Sequence, residues 1–525
     1  MGRLRDHSVI VVAALAAGVI VAHGQSRDER HVILNVGLPA IDEGLLEDET
    51  HAPQTPEARR RAALGAMLHA DREGRLGSRY APGRVIVKFR DEATPAARLA
   101  VMKDVSATAN LDSRPSYADF DIVRIDPSQD AEAVADAFAK RADVEYAQPA
   151  YRVHTMFVPN DPLYATRQWN LPLINLERAW DLQPQAGSSI VVAVLDTGVA
   201  FQNATLIENI SGFFDDFGVR YPALGRVTIP YSGATQLMAP GRFVAPHDFI
   251  WDNDMPLDFD GHGTHVTGTI GQLTNDNIGT AGVAFNVKIM PVKVIRTDWD
   301  GYFGAPNGGT DDTVARGIRY AADNGANIIN MSIGRTAPPA TAPAIESAIN
   351  YAVSKGVFVA IAGGNDFEEN NPVEVIAEIA SRVQGAVSVA AVDRAKGHAY
   401  YSSTGSWVEI AAPGGSERGF GRDGFVFQQT FDFNFVETFL LPVSEYRAPR
   451  FDVFGYIGYI GTSMATPHVA GVAAMMMQQG VTSPAAIEAA LEQFAVDLGS
   501  PGRDNTFGFG LVDARNSLRG LGLAK

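Results

Sequence analysis

Val191-Val192-Ala193-Val194-Leu195-Asp196-Thr197-Gly198 is an apolar run that ends on an acid and a glycine turn. A strand that is apolar at every position is buried on both faces, which points to a parallel sheet covered by helices. The same texture recurs along the chain. Strands are expected at 190–195, 288–295, 326–332, 357–361 and 386–391, and helices at 262–273, 313–324, 343–355 and 462–479. The fold class is therefore α/β, with a mainly parallel sheet sandwiched by helices. Sheets of this kind gather their chemistry at the C-terminal ends of strands, where Asp196 stands.

Upstream the pattern changes. Arg84-Val85-Ile86-Val87-Lys88-Phe89 alternates as a half-buried strand does. Further strands are expected at 120–125 and 144–153, with helices at 95–105 and 130–142. This is a small α+β unit of split β-α-β, ferredoxin-like order. The loop signal Pro159-Asn160-Asp161-Pro162 places a boundary near residue 155, separating a unit at 81–155 from one at 156–525. Residues 25–80 are polar and weakly patterned and read as a spacer with little fixed structure.

Two further segments carry chemistry. Asp260-Gly261-His262-Gly263-Thr264-His265 sets a histidine between glycines where an apolar helix begins, and Gly461-Thr462-Ser463-Met464-Ala465-Thr466-Pro467-His468 sets a serine at a helix start. A serine hydroxyl becomes a useful nucleophile when a neutral imidazole takes its proton, and a carboxylate on the far ring nitrogen fixes the tautomer. Asp196, His262 and Ser463 are candidates for these roles. A helix start also offers backbone N–H groups to a developing oxyanion. A second donor is available in Asn365, in Ala362-Gly363-Gly364-Asn365-Asp366 at the end of the 357–361 strand. A base with an ordinary imidazole pKa predicts activity rising through roughly pH 6 to 7.

With DTGV, HGTHVTGT, NMSIG, AGGN and GTSMATPHVAG in this order, residues 160–515 resemble the subtilisin family (subtilases) of serine endopeptidases. The resemblance implies the subtilisin-like form of the sheet, the triad Asp196, His262 and Ser463, and Asn365 in the oxyanion hole. It implies that Ser332, Ile333 and Gly334 bind peptide substrates backbone to backbone. The 81–155 unit is similar to the family's inhibitor and chaperone propeptide, carried by Val144-Glu145-Tyr146-Ala147-Gln148-Pro149, which makes the chain's own propeptide an intramolecular inhibitor. Leu273 to Thr280 resembles the family's calcium loop. The implied ligands of a structural, non-catalytic calcium ion are Asp161, Leu273, Asp276, Ile278 and Thr280. The chain departs from the family where an aspartate usually follows nine residues after the catalytic one, because Thr205 stands there.

Composition narrows the remaining classes. The chain has 525 residues with a net charge of −17, most of it in the C-terminal two-thirds, which argues against nucleic acid as a partner. It has no cysteine, so disulfides, thiolate nucleophiles and Cys-ligated metals are excluded. Arg3 and Arg5, the apolar run 9–22 and Ala22-His23-Gly24 have the form of a signal peptide over residues 1–24. A secreted protein, extracellular or periplasmic, with no membrane segment in its mature form, is expected as a monomer. The rival reading is a catalytically silent subtilase-fold protein for binding or adhesion.

Plainer readings attend other residues. His265 and His468 fall inside helices and suit a satisfied core, as do Met475, Met476 and Met477. Asp252, Asp254, Asp258 and Asp260 read as a solvated acidic rim. Residues 415–460 form an aromatic-rich insertion in which Phe431, Phe433 and Phe435 alternate as one face of a hairpin. Whether it shapes the cleft or packs on itself stays open, as does whether Glu374 or Glu378 faces a substrate or solvent.

Overall fold

The computed structural model describes residues 80–151, 157–214, 218–338 and 341–520. The signal-peptide and spacer expectations, apart from Tyr80, lie outside these residues, and so does the boundary at 152–156. The chain divides into two compact units.

In the first unit, β1 (Tyr80–Phe89), β2 (Asn110–Ser113), β3 (Asp121–Arg124) and β4 (Val144–Tyr151) form an antiparallel sheet of order β2-β3-β1-β4. Val85, Val87 and Phe89 alternate into a core with Val101, Met102, Val134 and Phe138. The last four come from α1 (Pro95–Val105) and α2 (Ala131–Ala139). Thr94 and Asp130 cap these helices by accepting the N–H groups of Ala97 and Glu132. The arrangement is the expected ferredoxin-like one. Strand β2 had no sequence signal, because none of its four residues is buried.

The second unit is built on β5 (Val191–Asp196), β6 (Ala204–Ile210), β7 (Gly225–Tyr231), β8 (His247–Asp248), β9 (Lys288–Lys293), β10 (Ile328–Met331), β11 (Phe358–Ala362), β12 (Ala386–Val392), β13 (Ile410–Pro413), β14 (Val426–Phe431) and β15 (Phe454–Tyr459). Seven of these form one parallel sheet of order β8-β9-β5-β10-β11-β12-β13. Every residue of β10, β11 and β12 is buried. Successive side chains point to opposite faces, so both faces are covered. The covering helices include α3 (His262–Gly271), α4 (Asp311–Asp323), α5 (Pro343–Ser354) and α6 (Thr462–Gln478). Among the described residues, no helix is long and apolar enough to cross a membrane.

The segments 200–258 and 415–460, with Phe259 and Trp299, build a second core. Tyr221, Tyr231, Phe259, Trp299, Phe431 and Phe451 meet there, apart from the core of the main sheet. A hairpin does form, by pairing of β14 with β15 from Val426↔Tyr459 to Phe431↔Phe454. Of the alternating Phe431, Phe433 and Phe435, only Phe431 belongs to it. Asp432 accepts the Asn434 N–H at 3.0 Å and starts a helical turn at Phe433–Val436, so the strand ends at Phe431. The insertion is not a self-packed excursion. Phe425, Val426, Phe427, Ile457 and Tyr459 join the core of the main sheet, and Phe431 and Phe451 pack on Tyr231 of the 200–258 segment. The insertion also braces α3. Thr430 donates to the Gly261 carbonyl at 2.6 Å, and the His265 ring stacks on Tyr459.

Candidate active site

Asp196, Ser332 and Asn365 lie at or just past the C-terminal ends of the neighbouring strands β5, β10 and β11. Asp196 is fully buried, and His262 Nδ1 lies 2.7 Å from its Oδ1. Helix α3 approaches the end of β5 closely because Gly263 has no side chain. A Cβ there would run into the Gly198 carbonyl and stand 3.1 Å from the Asp196 carboxylate. Gly261, with φ 113°, makes the turn that presents His262.

Burial alone would pull the His262 pKa down. The charge and hydrogen bond of Asp196, with the charges of Asp260 and Asp258, outweigh it and hold the pKa at about 9. With the ring held there, activity is expected to rise at alkaline pH rather than at pH 6 to 7, since free imidazole is the wrong reference for a ring beside three carboxylates.

Ser463 stands in the first turn of α6. Its hydroxyl donates to the Ser332 carbonyl at 3.2 Å, and no hydrogen bond joins it to His262. Pro467, four residues on, has no N–H, so the Ser463 carbonyl lacks its helical donor. The Ser332 hydroxyl supplies one at 2.8 Å and is itself held by the Asn330 amide at 3.0 Å. The end of β10 is thus tied to the start of α6. Beyond it, no hydrogen bond engages the backbone of Ile333 or Gly334 among the described residues.

Asn365 is oriented by its neighbours. Its Oδ1 accepts both the Thr462 N–H and the Thr462 hydroxyl, each at 2.9 Å. The carbonyl half of the amide is committed, which leaves the NH2 half free to donate.

His265 and His468 are buried core residues; both ring nitrogens of His468 are hydrogen-bonded, whereas His265 Nδ1 has no partner. His265 Nε2 lies 3.1 Å from the carbonyls of both Val426 and Ile457, and burial lowers its pKa to about 3. His468 bonds Asn170 and the Met464 carbonyl, each at 2.8 Å, and burial lowers its pKa to about 4.

The acidic rim needs correction. Asp252 and Asp254 are exposed, but Asp258 is fully buried and Asp260 is half-buried. Asp258 accepts five hydrogen bonds. Asp260 accepts the His262 N–H at 2.9 Å, and burial together with the Asp258 charge raises its pKa to about 7. The missed signal is Asp258-Phe259-Asp260-Gly261. Aspartates in such a turn accept the N–H groups two or three residues on, and so satisfy the turn's own backbone rather than facing solvent. Glu374 is also buried. It accepts the N–H groups of Arg335 and Ile376, and burial raises its pKa to about 7. Glu378 pairs with Arg382 at 3.1 Å.

The 273–280 loop brings Asp161 and Asp276 together. Asp161 is buried. Its Oδ2 accepts the Asn275 N–H at 2.8 Å, and its Oδ1 has no partner. Burial, with the charge of Asp276 added, raises Asp161 to about 7 against the pull of that N–H, and burial also raises Asp276. An orphaned carboxylate oxygen beside a second carboxylate fits a hard cation. Two expected ligand positions differ from this picture. Thr205 is exposed in β6, paired with Pro230, and the Ile278 carbonyl already accepts the Gln236 amide from the 200–258 segment.

A parallel sheet with an Asp–His pair, a helix-terminal serine and an oriented amide at the C-terminal ends of its strands is the architecture of an α/β serine hydrolase. The family model described as Subtilase family matches residues 187–510, and that of the fervidolysin N-terminal prodomain matches residues 71–150. The chain is 30% identical over 440 residues to a thermophilic serine proteinase of Bacillus sp. (strain AK1), covering 84% of this chain and 88% of that protein. It is 30% identical over 348 residues to thermitase of Thermoactinomyces vulgaris, covering 66% and 94%. A solved protease structure from Pseudoalteromonas arctica PAMC 21717 superposes with a TM-score of 0.50 at 29% identity, covering 70% of this chain and all of that one. The chain belongs to the subtilase family: it is a subtilisin-like serine protease with a fervidolysin-like N-terminal prodomain.

Proposed function

We propose that this protease is a secreted endopeptidase that cuts peptide bonds through an acyl-enzyme. The buried Asp196–His262 hydrogen bond of 2.7 Å is the observation that carries this reading. A turn of the Ser463 side chain away from the Ser332 carbonyl gives its proton to His262 Nε2 as the oxygen attacks the substrate carbonyl. Asp196 keeps Nδ1 protonated and stabilises the imidazolium, which then protonates the leaving amine. The Ser463 N–H and the free Asn365 NH2 hold the oxyanion. Ser332, Ile333 and Gly334 pair with the substrate backbone, supported by the unengaged backbone of Ile333 and Gly334.

The prodomain serves as intramolecular inhibitor until the protease removes it near residue 155 by its own cleavage. Residues 1–24 direct export, and the mature protein acts outside the cytoplasm as a monomer. Asp161 and Asp276, with carbonyls of Leu273 and Thr280, hold a structural calcium ion. The ion's chemistry there is charge neutralisation and takes no part in the peptide-bond reaction.

The test compares full-length protein with its Ser463→Ala twin, both in calcium, following size, new N-termini and casein hydrolysis. The expected result is that the wild type alone sheds its first ~155 residues and then degrades casein. If both stay intact and inert while folded, the silent binding-protein reading replaces this one.

A further inference from the structure

We propose that Asp258 and Thr197 form a clamp that positions the catalytic pair, holding the His262 turn against the end of the strand that carries Asp196. The inference rests on the protease reading above and adds to it two residues that touch no reacting atom.

Asp258 is fully buried, and its charge is met by hydrogen-bond donors on three pieces of chain. From the strand end comes the Thr197 hydroxyl at 3.0 Å on Oδ1. From the turn before the base come the N–H groups of Asp260 and Gly261, at 3.0 and 2.9 Å, also on Oδ1. From α3 come the Thr264 N–H and hydroxyl, at 2.9 and 2.6 Å on Oδ2. Thr197 closes the circuit, because its hydroxyl oxygen also accepts the Gly263 N–H at 3.0 Å. Residues 196–197 and 261–264 flank the two partners of the Asp–His bond and have no backbone ladder in common. Asp258 and Thr197 tie them together, and just beyond the strand end the Ala200 N–H adds a bond to the Thr264 hydroxyl at 2.9 Å. The aspartate is anchored in turn by its own N–H, which donates to the Tyr231 hydroxyl at 2.9 Å, so the inserted strand β7 helps to hold it.

The geometry needs an oxygen on both sides of the carboxylate. In Asp258→Asn one oxygen can still serve Thr264, but the NH2 group then faces the Asp260 and Gly261 N–H donors. The turn must shift, and the imidazole with it. Misplacement of a catalytic group by about 1 Å can cost about 10²-fold in rate.

Measured on matured protein well below its unfolding temperature with a chromogenic peptide, Asp258→Asn should lose about 10- to 100-fold in kcat with KM within about twofold. Thr197→Val, which changes no charge, should lose about 10-fold in kcat and move the acid limb of the pH profile downward as the Asp196–His262 bond lengthens. Thr197→Ser keeps both hydrogen bonds and should stay within about twofold of wild type. Parent-like kcat in Asp258→Asn, or Thr197→Ser no better than Thr197→Val, overturns the clamp. So does a loss confined to thermal stability.

A second readout does not depend on turnover. In the Ser463→Ala protein, the low-field proton resonance of His262 Nδ1–H reports the Asp196 bond. It should move upfield in Thr197→Val and stay in place in Thr197→Ser. An unmoved signal in Thr197→Val overturns the clamp whether or not the chain cuts peptides, whereas an inert wild type with a responsive signal overturns only the protease reading.

Discussion

Two buried acidic loops in the catalytic unit meet the same problem in opposite ways. Five N–H and O–H donors surround the Asp258 carboxylate. Asp161 is as deeply buried, lies against Asp276, and leaves one oxygen without a partner. A carboxylate bonded to several protein donors can stay charged with no ion present, whereas a crowded pair must take up a proton or a cation. The first loop is wired by the fold itself, and the second is left for solution conditions to complete.

Removing the wired acid should have the larger effect. Asp258→Ala strands five donors in the interior, and each unmade bond there costs about 1–3 kcal/mol before relaxation. In the Ser463→Ala background, which prevents self-digestion, the thermal midpoint should fall on the order of 10 °C. A fall of only a degree or two would mean that the donors find other acceptors, and the comparison would lose its first half.

Chelation tests the second loop. At pH 8, removing calcium with EDTA should lower the midpoint by about 5 °C. The sign with pH follows from the raised carboxyl groups. Asp161 takes up a proton as the pH falls through about 7, and the proton competes with the ion for the same oxygens, so the calcium effect should fade toward pH 5. An EDTA effect as large at pH 5 as at pH 8 would place the ion elsewhere. The usual aspartate is replaced by the exposed Thr205, and the Gln236 amide already occupies the Ile278 carbonyl, so chelation should not unfold the protein.

Asp260 lies between the two cases. It accepts one hydrogen bond, titrates near 7, and adds its charge to the forces that hold His262 at about 9. A general base must be neutral, so a raised pKa delays activity to higher pH. Asp260→Asn keeps an acceptor for the His262 N–H but removes the charge. The acid limb of kcat/KM should then move down by about half to one pH unit. No movement would leave Asp196 and Asp258 in control of the base.

How much of this was legible in the sequence depended on what each residue reports locally. The strands β5, β10, β11 and β12 announce themselves because burial on both faces demands an unbroken apolar run, as in Val191–Leu195. Asp196, His262, Ser463 and Asn365 sit in glycine-marked or helix-start settings that single them out. The clamp was hidden because its defining property is non-local. Asp258 looks like its exposed neighbours Asp252 and Asp254 until Thr197, 61 residues earlier in the chain, is folded against it. Strand β2 and the helical turn at Phe433 were missed for a different reason. The first carries no buried residue, and the second is set by the cap of Asp432, which overrides an aromatic alternation.

The smallest effect makes the control. Asp254 is four residues from Asp258 in the same acidic stretch, yet its side chain is 81% exposed and its Oδ1 meets only the Nδ1 of His247, at 2.9 Å, among the described residues. Exposed pairs of this kind contribute about 0–1 kcal/mol, because water screens the charges and two side chains must be held in place. Asp254→Asn should therefore change stability by no more than about 0.5 kcal/mol and leave kcat and KM at parent values. Asp252→Asn should be as quiet. Asp252 holds φ at 54°, a left-handed conformation that asparagine adopts as readily as aspartate. If either substitution approached the loss expected for Asp258→Ala, the acidic stretch would be acting through its summed charge on His262, and the geometric distinction between wired and solvated carboxylates would fail.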